Sequence, residues 1–206
     1  MRIVCSRRVV DPVDGEFSQE AGRRSEIRIQ TVLRVGRVIA EGDEGLVRVR
    51  NLSNQGARLQ LQIPVEIGDL LTLELSDDAM MSGRVVWSTE GNCGLVFDKE
   101  IDCADLLGRL ASQSKSGACR AVRLPISLPA VIRSEQGLRR TVVEDISQRG
   151  MKLRHDDRFV EGLRVSVTLP SGLERCGVVR WTKNDVAGVM LLDPFSPQEL
   201  GSAKKL

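Results

Sequence analysis

Tyrosine is absent from the 206 residues, and phenylalanine and tryptophan together leave aromatics at 3%. The cores must therefore be filled by Val, Leu, Ile and Ala, which suit pleated surfaces, and a small-barrel RNA binder that stacks bases on aromatics becomes the least favoured reading. Histidine occurs once, as His155 in the charged run Arg154-His155-Asp156-Asp157-Arg158, which reads as exposed and removes the usual triad and histidine-metal chemistries. Neither sign of charge dominates: 30 basic and 28 acidic residues leave +2, too little for a general DNA or RNA binder held by phosphate neutralisation. Any anion site must be a local cluster. No apolar run reaches membrane-spanning length, so no membrane insertion is expected, and Met1-Arg2-Ile3-Val4-Cys5 is too short for a signal-peptide core. Arg7-Arg8 starts like a twin-arginine signal, but Asp11, Pro12 and Asp14 follow where a hydrophobic stretch is needed. The five cysteines (Cys5, Cys93, Cys103, Cys119, Cys176) lack C-x-x-C or metal-ligand spacing, so they read as small hydrophobes in a reduced, cytoplasmic chain. With no P-loop, no Rossmann glycine fingerprint and no paired catalytic acids, neither enzymatic activity nor a metal nor a resident cofactor is expected.

What is present is a repeat. Asn51-Leu52-Ser53-Asn54-Gln55-Gly56 returns 94 residues later as Asp145-Ile146-Ser147-Gln148-Arg149-Gly150. The same shift carries Leu59 to Leu153, Gly83 to Gly177, Trp87 to Trp181 and Gly94 to Gly188, so the chain contains a duplication. Its period predicts two domains, each large enough for its own core.

Within the first copy apolar residues alternate at Ile29 to Val35, Val47 and Val49, Leu59 to Ile63, Leu71 to Leu75, Val85 and Trp87, and Cys93 to Phe97. Period-two runs of this length are half-buried strands, and six of them are best closed into a barrel that leaves no open edge. Ser88 to Asn92 reads as a hairpin turn, and the equivalent tryptophans Trp87 and Trp181 read as core. Leu106, Leu107 and Leu110 behind Asp102 predict a short helix, and Ser196 to Leu200 a capped turn cut short by Gly201. The expected fold is all-β: two tandem six-stranded antiparallel barrels, each with a short C-terminal helix. The expected bounds are a mobile leader over 1–22, a first domain over 23–111, a flexible linker over 112–118 that permits rotation, and a second domain over 119–206 with a disordered tail.

Asn51-x-Ser53-x-x-Gly56 taken alone suits an Asx-type turn that closes a hairpin. It also presents side-chain oxygens and an amide on one side, with Gly56 allowing curvature and close approach of a ligand. Upstream stand Arg23, Arg24 and Arg28; a guanidinium fork matches both a phosphate and the O6/N7 edge of guanine, while a solvated basic segment beside Glu26 is the blander alternative. An R-x-x-x-R pair (Arg24, Arg28) followed by N-x-S-x-x-G (Asn51, Ser53, Gly56), then Gly83-x-Val85-x-Trp87 and Gly94-x-x-Phe97, resembles the PilZ family of bacterial second-messenger receptors. The resemblance implies a barrel that binds cyclic di-GMP. Arg24 and Arg28 would grip guanine and phosphate, Asn51, Ser53 and Gly56 would hold a guanine at the barrel surface, and Arg23 would mark a stacked ligand dimer.

The second copy keeps Asp145, Ser147 and Gly150 but at most one arginine of the pair, Arg123. These four leave a weak second site and a docking role both open, with docking favoured. The expected function is a receptor whose first domain binds cyclic di-GMP and whose second relays the bound state to an unidentified downstream protein. The alternative is an interaction adaptor that binds no nucleotide.

Overall fold

Wherever the sequence alternates apolar and polar residues, a strand forms. The computed structural model describes residues 29–115, 121–155 and 158–206; the leader and Arg23, Arg24 and Arg28 lie outside them. In the first copy the strands are β1 (Ile29–Ala40), β2 (Asp43–Leu52), β3 (Gly56–Gln60), β4 (Leu70–Ser76), β5 (Ala79–Thr89) and β6 (Asn92–Phe97). In the second they are β7 (Leu124–Ser134), β8 (Gly137–Ser147), β9 (Gly150–Arg154), β10 (Arg164–Thr168), β11 (Glu174–Lys183) and β12 (Val186–Leu191). Hydrogen bonding runs β1-β2-β3-β6-β5-β4 and back to β1, and β7-β8-β9-β12-β11-β10 and back to β7, antiparallel throughout. The two tandem six-stranded barrels expected from the sequence are therefore present, and closure removes the edges that would otherwise pair with other chains.

The inward side of each barrel is aliphatic. Val38, Val47, Val49, Leu59, Leu73, Val85 and Leu95 fill the first, and Ile132, Val143, Leu153, Val167, Val179 and Val189 the second, all nearly inaccessible to solvent. Each such side chain contributes about 1.5–3 kcal/mol. The turn at Ser88 to Asn92 joins β5 to β6 with Glu90 and Gly91 at φ 30° and 73°, the paired positive angles a two-residue hairpin turn requires.

After the first barrel comes α1 (Cys103–Lys115), whose buried face is Cys103, Leu106 and Leu110. Asp102 caps it, its Oδ1 accepting the Asp105 N–H at 2.9 Å. Residues 112–115, which composition assigns to the linker, instead continue this helix, with the Ser112 hydroxyl donating back to the Gly108 carbonyl at 2.9 Å. The second barrel lacks the expected helix: among the described residues no α-helix follows β12. Ser196 and Glu199 do form a capping box, the Ser196 N–H donating to Glu199 Oε2 at 2.9 Å and the Glu199 N–H to Ser196 Oγ at 3.2 Å, but the turn stops at Gly201. A short 3-10 turn over Ala203–Lys205 follows. The tail is ordered, against expectation: Leu206 is buried in the second core and its carbonyl accepts the Ser171 N–H at 2.9 Å.

That ordered tail joins the barrels. The Leu46 N–H donates to the Leu200 carbonyl at 2.8 Å, and the Ser202 hydroxyl donates to Asp43 Oδ2 at 2.6 Å. Leu46 belongs to β2 of the first barrel but packs in the core of the second. Gly45 lies so close to Gly201 that a Cβ there would fall 2.1 Å from the Gly201 carbonyl oxygen. Arg37 of β1 pairs with Glu44 and Glu74 and donates to the Arg123 carbonyl at 3.4 Å. The barrels thus share a packed seam; of the linker expected over 112–118, residues 116–118 lie outside the described residues.

A cationic outer face beside the first turn

The β2–β3 turn is built by its own side chains. The Ser53 N–H and hydroxyl both donate to the Gly56 carbonyl, at 2.9 and 3.2 Å. Gly56 has no positive φ; it is required because a Cβ would meet the Leu95 carbonyl oxygen of β6 at 2.3 Å. Its role is therefore close strand packing more than the curvature expected of it. Asn54 ties the turn to the helix, its Oδ1 accepting the Cys103 N–H at 3.2 Å and its carbonyl the Ile101 N–H at 2.9 Å.

Between Val49 and Asn51 the register with β3 slips by one residue. Val49 and Leu52 both face the core, so Arg50 and Asn51 between them share the outer face, as a bulge dictates. Pairing then sets Asn51 beside Arg58 of β3, Arg58 beside Gly94 of β6, and Gly94 beside Trp87 of β5. Trp87 is not core as expected: it is 37% exposed and lies flat across Gly94, where any Cβ would strike its ring. The Arg58 guanidinium stands 5.8 Å from that ring, a cation–π distance. Arg48 and Arg50 precede Asn51 on the same face, and Arg50 donates to Gln60 Oε1 at 2.6 Å. Among the described residues none of Arg48, Arg50 and Arg58 pairs with a carboxylate, and the Asn51 amide has no hydrogen-bond partner. Three guanidiniums, a free amide and an exposed indole make a surface suited to a planar, anionic ligand.

The second barrel repeats the geometry and cancels the charge. Arg50 is replaced by Glu144, which pairs with Lys152 and Arg154, and those hydrogen bonds hold its carboxyl below the usual range. Asp145, in the place of Asn51, pairs with Arg123. Ser147 is buried with its hydroxyl donated to the Gly150 carbonyl at 3.2 Å. Trp181 lies across Gly188 as Trp87 does across Gly94. Of the four candidate second-site residues, Arg123 and Asp145 satisfy each other and Ser147 is shut away from solvent.

Ile29 of β1 faces Leu52, and Leu124 of β7 faces Ile146, so Ile29 and Leu124 are equivalent; Arg24, Arg28 and Cys119 lie outside the described residues. The offset on this stretch is 95 and not 94. It is absorbed in the irregular parts of β1, between Gln30 and Arg34, and of β7, between Pro125 and Leu128.

The β2–β3 turn brings Asn51, Ser53 and Gly56 together. Arg48, Arg50, Arg58 and Trp87 are the additions; period-two alternation around Val47 and Val49 was the available signal for the first two. Other readings change. His155 is half-buried and stacked on Phe159, with 5.6 Å between ring centroids. Cys93 and Cys103 are buried, with the Cys93 thiol pushed up to about 11 by burial, but Cys176 is exposed. Among the described residues no group of three or more His, Cys, Asp or Glu is placed to hold a metal, and no helix is long and apolar enough to cross a membrane.

Two tandem six-stranded barrels stand side by side, one presenting a cationic face beside an N-x-S-x-x-G turn and the other a diverged copy of it. The chain belongs to the PilZ domain family, which matches residues 22–113 and 120–202. Among solved structures it is similar to PlzA of Borreliella burgdorferi in complex with c-di-GMP (13% identity over 82% of this chain and 88% of that one, TM-score 0.37). It is also similar to the inhibitor of motility MotI/DgrA of Bacillus subtilis (15%, 83% and 94%, 0.33) and to YcgR of Escherichia coli in complex with c-di-GMP (11%, 79% and 77%, 0.28). No curated protein matches the chain.

Proposed function

We propose that the protein is a bacterial receptor for cyclic di-GMP, binding it on the first barrel and relaying the bound state to a partner protein. The observation that carries this reading is the face around Asn51: three arginines without a carboxylate, beside a turn of the family pattern. A cyclic dinucleotide supplies two phosphates for guanidiniums, guanine O6/N7 edges for bidentate donors and flat faces for Trp87 and Arg58. Arg24 and Arg28 complete the grip from the segment that leads into β1, and Arg23 favours a stacked pair of ligands. The second barrel, with its charges satisfied internally, is the relay and docking element. Relay then passes through the packed seam at Leu46 and Asp43, because a ligand moves such an equilibrium only by contacting its states differently.

Calorimetric titration of cyclic di-GMP into the full chain and into the Arg24→Ala, Arg28→Ala double variant tests this. Each charged hydrogen bond is worth about 1.5–3 kcal/mol, so each lost arginine weakens binding by roughly tenfold or more. Binding near two ligands per chain, abolished in the double variant, is expected. No heat from the wild type at micromolar ligand transfers the protein to the adaptor class.

A further inference from the structure

Arg48 stands three residues before Asn51 on the outer side of β2, opposite Val35 of β1 and Gln60 of β3. Val35 packs against the second core, so the guanidinium lies between the nucleotide face and the seam. It is half-buried, its Nε is enclosed with no acceptor, and among the described residues it makes no hydrogen bond or ion pair. Arg37 Nε is likewise enclosed without an acceptor, but its guanidinium is held by Glu44 and Glu74, while Arg50 is held by Gln60 and Arg58 lies over Trp87. A cation drawn partly out of water without an acceptor is unfavourable, and an orphan of this kind marks a missing acceptor, for which an anion is the strongest match to a guanidinium.

Resting on the receptor reading above, we propose that Arg48 is a further phosphate-binding residue of the nucleotide site, outside both sequence motifs, and that it contacts the ligand at the edge of the barrel seam. Its fork matches two oxygens of one phosphodiester. Three strand residues, roughly 10 Å, separate it from Asn51, a span that a cyclic dinucleotide covers from guanine to phosphate. The second barrel carries Val142 at the equivalent position, so this contact is missing exclusively from the copy that neutralises its own face.

The test uses the full chain with Arg48→Met, which keeps the length of the side chain and removes the charge, and with Arg48→Lys. Cyclic di-GMP is titrated into each, and thermal unfolding is followed without ligand. Arg48→Met is expected to weaken binding on the order of tenfold while its ligand-free unfolding midpoint stays the same or rises, because an unpaired half-buried charge has gone. Arg48→Lys is expected to recover only part of the affinity, since an ammonium cannot form the fork. Unchanged affinity in Arg48→Met, with the wild type binding, overturns this proposal alone. A fall of several degrees in the ligand-free midpoint, fully reversed by lysine, also overturns it by making the role structural. Absence of binding by the wild type removes the receptor reading and this proposal together.

Discussion

Replacing Gly45 by alanine forces a methyl group against the backbone of Gly201, 2.1 Å from its carbonyl oxygen and 2.3 Å from its carbonyl carbon. Gly45 has no positive φ, so alanine suits the strand itself and the clash lies wholly across the seam. Backbone cannot swing aside as a side-chain tip does, and the seam has to part. Three interactions are then lost. Burying the Leu46 side chain is worth about 2–3 kcal/mol, the Leu46 N–H to Leu200 carbonyl bond about 1 kcal/mol, and the Ser202 hydroxyl to Asp43 carboxylate bond about 1.5–3 kcal/mol. Neighbouring terms overlap, so about 5 kcal/mol of coupling between barrels is a reasonable upper figure. The first core should survive, because Val47 and Val49 belong to the first barrel's own cluster. In scanning calorimetry the wild type is expected to unfold in one transition. Gly45→Ala should give two, separated by on the order of 10 °C at about 2–4 °C per kcal/mol, with a larger radius of gyration by X-ray scattering. A variant with one unshifted transition and an unchanged scattering profile would refute the docked arrangement.

Three further outcomes follow from other parts of the molecule. Arg37→Ala leaves Glu74, 8% exposed, without its partner and should cost about 3–5 kcal/mol in urea unfolding, whereas changing both residues to apolar ones should cost less. Ligand stacking on the first barrel should alter the emission of Trp87 but not Trp181, so Trp87→Phe should abolish the fluorescence response to cyclic di-GMP and Trp181→Phe should retain it. The Ser196 N–H, with the Ser196 hydroxyl and Arg175, holds the Glu199 carboxyl below its ordinary value against the opposing effect of burial. A lowered folded-state value contributes stability that is present above the unfolded value and lost as pH falls through the folded one. The urea-midpoint gap between wild type and Glu199→Gln should therefore be full at pH 7 and shrink progressively below the ordinary glutamate range.

The barrels were legible because each strand keeps a strict period of two, with Val47 and Val49 or Leu71, Leu73 and Leu75 on one side, and because a single offset aligned the copies. Parity could also have flagged Leu46. Next to Val47, it falls on the outer side of β2, where a leucine needs a covering surface. No local pattern identifies that surface as the tail around Leu200, since the pairing spans more than half the chain. Trp87 misled for a related reason. A tryptophan in an aliphatic strand reads as core, but its bed is Gly94 on the neighbouring strand, and only the register of β5 with β6 brings the two together. The charge contrast between the copies was written in the sequence as Arg50 against Glu144. Its meaning required knowing that both stand at a bulge and face outward, with Lys152 and Arg154 within reach of only the second.

The irregular stretch of β1 holds one residue more than that of β7, yet both strands re-enter the ladder in the same register at Leu52 and Ile146. Inside a regular strand, gaining or losing one residue would turn every following side chain to the opposite face and ruin the core. At a bulge the change is absorbed locally. The duplicated halves have thus drifted in length at a place where drift is harmless to folding. In evolutionary terms the bulge is a neutral insertion point: a barrel can lengthen or shorten there without renegotiating its core.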